Sequence, residues 1–316
     1  MGKTAFIFPG QGSQTVGMMK EFYDNYSVVR DIFKSADEAL GFSITDMCFN
    51  GPEDQLRLTF NTQPAILTAS VAAAEVLKEH GIVPDIAAGH SLGEYSALVI
   101  AGALSFSDAV RIVRKRGQFM QEAVPVGEGS MAAVMGMNDS NDIVAICKKV
   151  EAETGKAVQA VNFNCPGQVV IAGAAAAVDR AVEELKAAGA KRAVILPVSA
   201  PFHSSLMYPA SVRLAEEFKT LSFNDANIPV IANVTAEEVT KAADIENLLV
   251  KQAASPVLWE TSVQNMIMMG VDCFVEVGPG KVLSGFNKKI AKELTSLNVE
   301  DNASLEKTLA YFKEVR

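Results

Sequence analysis

The chain is poor in the residues that most often build metal and redox centres: its 316 residues hold three histidines and four cysteines. Cys48, Cys147, Cys165 and Cys273 are widely scattered, and no two stand at metal-ligand or redox spacing. Long apolar runs are missing too. The best candidate, residues 97–104, is far short of a bilayer span and is bounded by polar residues. The N-terminus lacks a secretory pattern, since Thr4-Ala5-Phe6-Ile7-Phe8 reads as a strand that stops at Pro9. Myristoylation would want Ser or Thr where Phe6 stands. Positive charge is in deficit, with 28 Lys and Arg against 37 Asp and Glu, a formal net charge of −9. Such a chain repels a phosphate backbone overall. A reduced, cytoplasmic protein is therefore expected, with neither nucleic acid nor membrane as partner. Composition is otherwise ordinary and globular, 49% hydrophobic and 21% charged, and the length suits a large domain with a smaller one or an insertion.

Short apolar runs alternate with helical patterns, which argues α/β with a mainly parallel sheet. Strands are expected at 5–8 and 86–88, and helices at 18–39, 63–79, 94–101 and 107–123, the last with Ser107 as N-cap and Asp108 in its first turn. Residues 130–197 read differently. Strand 131–135, helix 140–153, strands 158–162 and 169–172, helix 175–188 and strand 192–196 follow the β-α-β-β-α-β order of a ferredoxin-like unit. Pro125-Val126-Gly127-Glu128-Gly129 makes a flexible entry to it and Pro197 marks its exit. The expected division is thus a large α/β domain over 1–128 and 198–316, interrupted by a small domain over 129–197. The large domain resumes with helix 211–220, strand 230–234, helix 245–252, a segment 259–269, strand 273–277 and a helical tail.

Gly89-His90-Ser91-Leu92-Gly93 satisfies G-x-S-x-G between an expected strand and an expected helix. That context holds a serine on a tight bend with its hydroxyl exposed, and a Cβ at either glycine would strike the neighbouring chain. Ser91 also sits at a helix N-terminus, where backbone N–H groups and the dipole favour developing negative charge. The N–H of Leu92 is a natural oxyanion donor. Three histidines allow elimination of the base. His80 precedes Gly81 at a helix end and reads as a charge partner or surface residue, while His90 diverges from its neighbour Ser91 and reads as packing. His203 lies past a strand end between prolines, where α/β sheets place catalytic groups, and is the expected base. No acid stands out as the third member. Asp108, Asp139, Asp142 and Asp179 each read as caps or helix-surface residues, so a dyad oriented by a backbone carbonyl competes with a full triad.

Other loops exclude nucleotide chemistry. Phe8-Pro9-Gly10-Gln11-Gly12-Ser13-Gln14 has Thr15 where a dinucleotide fingerprint needs glycine, and it has no Lys-Ser/Thr ending. It remains a loop of close backbone approach from which Gln11 can supply a second oxyanion donor. Gly278-Pro279-Gly280-Lys281 lacks phosphate-loop spacing and reads as a rigid turn. The basic groups Arg111, Arg114, Lys115 and Arg116, and Lys281, Lys288, Lys289 and Lys292, read for the most part as solvated helix faces.

Six motifs in order along nearly the whole chain resemble malonyl-CoA:acyl-carrier-protein transacylases. They are the Phe8–Gln14 loop, Thr62-Gln63-Pro64-Ala65, the Ser91 turn with Glu94-Tyr95, Arg116-Gly117-Gln118-Phe119-Met120-Gln121, Pro201-Phe202-His203-Ser204 and Glu276-Val277-Gly278-Pro279-Gly280. The resemblance implies a hydrolase-like α/β domain with a ferredoxin-like insertion, and transfer of malonyl from malonyl-CoA to the phosphopantetheine of an acyl carrier protein for fatty acid biosynthesis. It implies no bound cofactor or metal beyond these thioester and thiol substrates, and a monomer is expected. In that family Ser91 would be the nucleophile, His203 the base, the main-chain carbonyl of Gln252 its support, and the N–H groups of Gln11 and Leu92 the oxyanion hole. Arg116 would receive the malonyl carboxylate on its planar fork. Gln63, Asn162 and Phe202 would complete the substrate site, Phe202 resembling the malonyl-selective form of its motif. A serine thioesterase or esterase, or a non-catalytic carrier-docking module, are the rival readings.

Overall fold

The structure, a computed structural model, describes residues 2–198 and 200–315; Ser199, in the loop before the expected base, lies outside the described residues. Strand β1 (Lys3–Phe8) leads into helices α1 (Lys20–Asn25), α2 (Ser27–Leu40), α3 (Ile44–Asn50), α4 (Glu53–Leu56) and α5 (Thr59–Glu79). Then come β2 (Ile86–Gly89), α6 (Gly93–Ile100) and α7 (Phe106–Glu122). The middle of the chain forms β3 (Gly129–Met135), α8 (Ser140–Thr154), β4 (Val158–Cys165), β5 (Gln168–Ala174), α9 (Ala175–Ala187) and β6 (Arg192–Ile195). The remainder is α10 (Tyr208–Phe218), β7 (Val230–Ile231), β8 (Glu238–Val239), α11 (Ala242–Gln252), α12 (Trp259–Met268), β9 (Val271–Val277), α13 (Val282–Ile290), β10 (Thr295–Val299) and α14 (Asn302–Val315).

The larger sheet runs β10-β9-β1-β2-β7-β8 and is parallel except for β8. Its central strands β1 and β2 are apolar and buried along almost their whole length, as a parallel sheet covered on both faces requires. Their register pairs Phe8 with Gly89, so the loops carrying Gln11 and Ser91 leave the sheet side by side at its carboxyl edge. The smaller sheet is antiparallel with order β4-β5-β3-β6, the strand order of a ferredoxin-like β-α-β-β-α-β unit. Alternation along its strands divides its two faces. Ala132, Val134 and Ile171 pack under α8 and α9 with Ile143, Val178 and Leu185. Met131, Ala133, Val170 and Ala172 join the main core instead. An irregularity in β4 between Ala160 and Asn162, with a parallel bridge from Asn162 to Val257, fastens this sheet to the segment that links α11 to α12.

The mixed α/β class agrees with the sequence reading, and several boundaries differ for identifiable reasons. The helix expected at 18–39 is two, broken where Tyr26 turns extended. Ser105, not Ser107, caps α7: its Oγ accepts from Asp108 N at 3.1 Å and donates to the Asp108 carboxylate at 2.8 Å. The strand expected at 230–234 shortens to two residues and turns back as β8. Within the tail expected to be helical, Thr295-Ser296-Leu297-Asn298-Val299 forms the edge strand β10, half-buried except at Val299. An edge strand with one neighbour does not show the continuous apolar run by which central strands are read.

Candidate active site

Ser91 occupies the left-handed region, with φ of 53°. A non-glycine residue held there costs on the order of 1–3 kcal/mol and persists only when its surroundings enforce it. Both glycines of the turn are obligatory: a Cβ on Gly89 would lie 1.9 Å from the Gly93 carbonyl carbon, and one on Gly93 would lie 2.1 Å from Phe8 O. Gly10 is equally confined, 2.5 Å from His90 O by the same test, which packs the Gln11 loop against the turn. Asn233, just past β7, clamps the bend from both sides. Its Oδ1 accepts from Ser91 N at 2.7 Å and its Nδ2 donates to Gly89 O at 2.7 Å.

Ser91 Oγ lies 2.8 Å from His203 Nε2, and His203 Nδ1 lies 2.9 Å from the main-chain oxygen of Gln252. A carbonyl only accepts, so Nδ1 carries the hydrogen and the Nε2 lone pair faces the serine hydroxyl. Burial drives the His203 pKa down to about 3, helped by the positive charge of Arg116 and opposed by the Gln252 carbonyl. His90 turns away to Asn164, 2.9 Å from its Nε2, and leans on Trp259; His80 ends α5 and packs edge-on against Tyr26. None of the four aspartates weighed from sequence orients the base. Asp139 caps α8, Asp108 lies in the first turn of α7 and pairs with Arg111, and Asp142 and Asp179 are exposed on helices.

Arg116 departs most from its neighbours. Arg111 and Lys115 are exposed and paired with Asp108 and Glu217, and Arg114 lies over the Phe42 ring, whereas Arg116 is 1% exposed. It reaches the site because Gly117 lets α7 press on α5: a Cβ there would come within 2.6 Å of Phe60 Cα. Its Nη1 donates to Gln63 Oε1 at 2.9 Å, and its Nη2 donates to Gln252 Oε1 at 2.9 Å and to Ser91 Oγ at 3.1 Å. Every one of these acceptors is neutral. Among the described residues no carboxylate forms an ion pair with Arg116, and its Nε has no partner.

Ser91, His203, Arg116, Gln63, Gln11, Leu92, Asn162 and Phe202 all line one cleft of about 130 Å³, about four waters' worth of liquid. Gln252 lies behind it, fully buried. A second cleft of about 290 Å³ shares Gln11, His90 and Asn162 with the first and extends to Val282 and Phe286 on α13. No three His, Cys, Asp or Glu side chains gather as a metal would need, and no helix is long and apolar enough to cross a membrane, among the described residues.

Two members escaped the sequence reading. Glu94, in the first turn of α6 and 2% exposed, accepts from Asn233 N at 3.1 Å and from Gln252 Nε2 at 2.8 Å. Burial raises its pKa to about 7, against the pull of those two bonds and of the Arg116 charge. Asn233 is the other. The available signals were a carboxylate inside an apolar helix start and an amide just beyond a strand end.

A family model described as "Acyl transferase domain" matches residues 5–308. A malonyl CoA-acyl carrier protein transacylase of Bacillus subtilis (strain 168) is 51% identical over 314 residues, 99% of this chain and 98% of that protein. The structure of an acyl carrier protein S-malonyltransferase from Vibrio cholerae O1 biovar eltor superposes with a TM-score of 0.94 at 47% identity, covering 97% of this chain and 99% of that one. A malonyl-transacylase solved in complex with its type II PKS acyl-carrier protein gives a TM-score of 0.94 at 44% identity, covering 98% of this chain and 99% of that one. With a serine elbow, a histidine and a buried arginine on this fold, and half its residues shared with a transacylase along its length, the chain belongs to the acyl transferase family, among the malonyl CoA-acyl carrier protein transacylases.

Proposed function

We propose that this protein transfers malonyl from malonyl-CoA to the phosphopantetheine thiol of an acyl carrier protein, by way of a malonyl ester on Ser91, and so supplies fatty acid biosynthesis. The observation that carries this reading is a buried guanidinium, 3.1 Å from the nucleophilic oxygen, whose hydrogen-bond acceptors are all uncharged. Keeping a buried cation with no anion in direct contact is costly, and an acyl group bearing its own carboxylate supplies that contact. Acetyl would leave it unpaired.

In the first half-reaction His203 Nε2 takes the Ser91 hydroxyl proton as Oγ bonds to the thioester carbonyl carbon. The oxyanion forms at the N-terminus of α6, facing the backbone N–H groups of Gln11 and Leu92. The C–S bond breaks, the sulfur takes the proton from His203, and CoA departs. The carrier thiol then gives its proton to His203 and attacks the ester carbonyl, and Ser91 Oγ leaves with that proton restored. The substrate itself strengthens the base. Arg116 holds the His203 pKa down, and a malonyl carboxylate on the guanidinium offsets that charge at the moment a proton must be accepted.

In this scheme residues 129–197 form a small domain that contributes one wall of the cleft, with Met131 and Asn162 facing the acyl site. The pantetheine arm approaches along the second cleft toward α13, where the exposed Lys281, Lys288, Lys289 and Lys292 offer cations to an acidic carrier despite the net charge of −9. Incubation with malonyl-CoA should add one malonyl mass to the Ser91 peptide, and the adduct should discharge rapidly only when carrier is present. No adduct, or one that survives Ser91→Ala, overturns the proposal. Equally fast loss to water without carrier identifies a hydrolase instead.

A further inference from the structure

Two buried side chains of opposite charge type face each other across this site without touching. Glu94 is 2% exposed and Arg116 1% exposed, and the Gln252 amide stands between them. Its Nε2 donates to Glu94 Oε2 at 2.8 Å and to Ser91 O at 2.9 Å, while its Oε1 accepts from Arg116 Nη2 at 2.9 Å. A carboxylate oxygen and a main-chain carbonyl accept, and a guanidinium only donates. One orientation of the amide satisfies both sides, and the reverse sets NH2 against guanidinium.

From this chain of contacts we infer that Glu94 is a positioning residue for acyl selection: it fixes the Gln252 amide, and through it aims the Arg116 fork at the incoming carboxylate. The arrangement has a consequence that a direct Glu–Arg pair would not. A carboxylate in contact with Arg116 would occupy the position the malonyl carboxylate needs, and the substrate would have to displace it. Acting through an amide, Glu94 orders the guanidinium and leaves its substrate-facing side open. The second donor on Glu94 Oε2, Asn233 N at 3.1 Å, holds the carboxylate itself in place. The Glu94 carboxylate oxygen can be imitated by an amide oxygen at the same point, so acceptor geometry and side-chain loss are separable by substitution.

The inference rests on the malonyl-transfer reading, and the test distinguishes the two. Single-turnover loading of Ser91 is measured with malonyl-CoA and with acetyl-CoA in the wild type, Glu94→Gln, Glu94→Leu and Glu94→Asp, with KM and kcat resolved for each. Glu94→Gln keeps an acceptor and should hold the malonyl-to-acetyl ratio of kcat/KM within about threefold of wild type. Glu94→Leu removes it and should lower the ratio at least tenfold, chiefly through a raised KM for malonyl-CoA. Glu94→Asp withdraws the acceptor by one methylene and should lower the ratio by an intermediate amount; it decides the matter if the leucine variant does not fold. A ratio unmoved in Glu94→Leu or Glu94→Asp, or equal losses for both thioesters, overturns the assignment. A wild type that loads no malonyl overturns the functional reading instead.

Discussion

Arg116→Ala tests the substrate assignment at its centre. In the structure the guanidinium is buried and bonded only to neutral acceptors, so the substrate carboxylate would be its first anionic partner. A hydrogen bond to a charged group contributes about 1.5–3 kcal/mol net, and each 1.4 kcal/mol is a factor of about ten. Malonyl kcat/KM should therefore fall about ten- to a hundredfold relative to acetyl kcat/KM. Acetyl loses no such bond, and the cation it left unpaired is gone, so its own value should hold or rise. The substitution also strands Gln63 Oε1 and Gln252 Oε1, which adds a stability cost of about 1–3 kcal/mol per unsatisfied acceptor, shared by both substrates. A second readout comes from the base. Removing the positive charge lifts one of the causes that depress His203, so the acid limb of the kcat/KM profile should move to higher pH. Ser91 loading followed by intact mass, with each thioester and across pH, reads both effects. Parallel losses for malonyl and acetyl, or a surviving malonyl preference, would refute the assignment of Arg116.

Other perturbations test the remaining parts of the site. With the His203 pKa at about 3, the neutral base persists as pH falls through the ordinary histidine value, so wild-type kcat/KM for loading should show no fall near pH 6.5. The same depressed pKa makes a stability contribution that is fully present above pH 6.5 and lost as pH falls toward 3; a tenfold loss of loading per unit just below 6.5 would contradict both statements. Gly93→Ala places a Cβ 2.1 Å from Phe8 O and should lower Tm, at about 1–3 kcal/mol or more, and abolish loading. Gly285→Ala, whose Cβ meets nothing within 4 Å in a helix, should gain about 0.5–1 kcal/mol, so a lower Tm there would show that α13 is packed differently. Asn233→Asp keeps an acceptor for Ser91 N and loses the donor to Gly89 O, so loading should slow about tenfold or more for malonyl and acetyl alike; a change confined to one thioester would place Asn233 in acyl selection instead.

What could be read from the sequence follows physical range. Ser91 was legible because strand, turn and helix are contiguous, and both glycines are explained by contacts within or beside that turn. The antiparallel β-α-β-β-α-β unit was legible because its order and periodicity are local. Arg116 was hidden among three other basic residues, since its burial depends on where Gly117 meets α5, more than fifty positions earlier in the chain. Only the family resemblance singled it out. Asn233 and Glu94 lay beyond reach for a related reason. Their function is a set of hydrogen bonds to residues as many as 158 positions away, and such contacts leave no local spacing. The strand β10 was lost because its polar residues face a half-exposed edge, where burial imposes no pattern.

The missing acid, a gap in the sequence reading, is explicable from the charge around Ser91. In a serine triad the carboxylate behind the histidine stabilises the imidazolium formed when the proton is accepted. Here that place is held by the Gln252 carbonyl, a weaker stabiliser, and a buried guanidinium lies beside the imidazole. An aspartate behind His203 would raise the base and also place an anion near Arg116 before any substrate arrived. The site would then favour any thioester equally, since its charges would already be balanced. With a carbonyl there, and with Glu94 reaching Arg116 only across an amide, on the proposed reading the balance is completed by an acyl group that carries a carboxylate. On that reading, selectivity for such an acyl group and activation of Ser91 would draw on the same charge. A neutral thioester would then forgo the bond to Arg116 and meet the weaker form of the base as well.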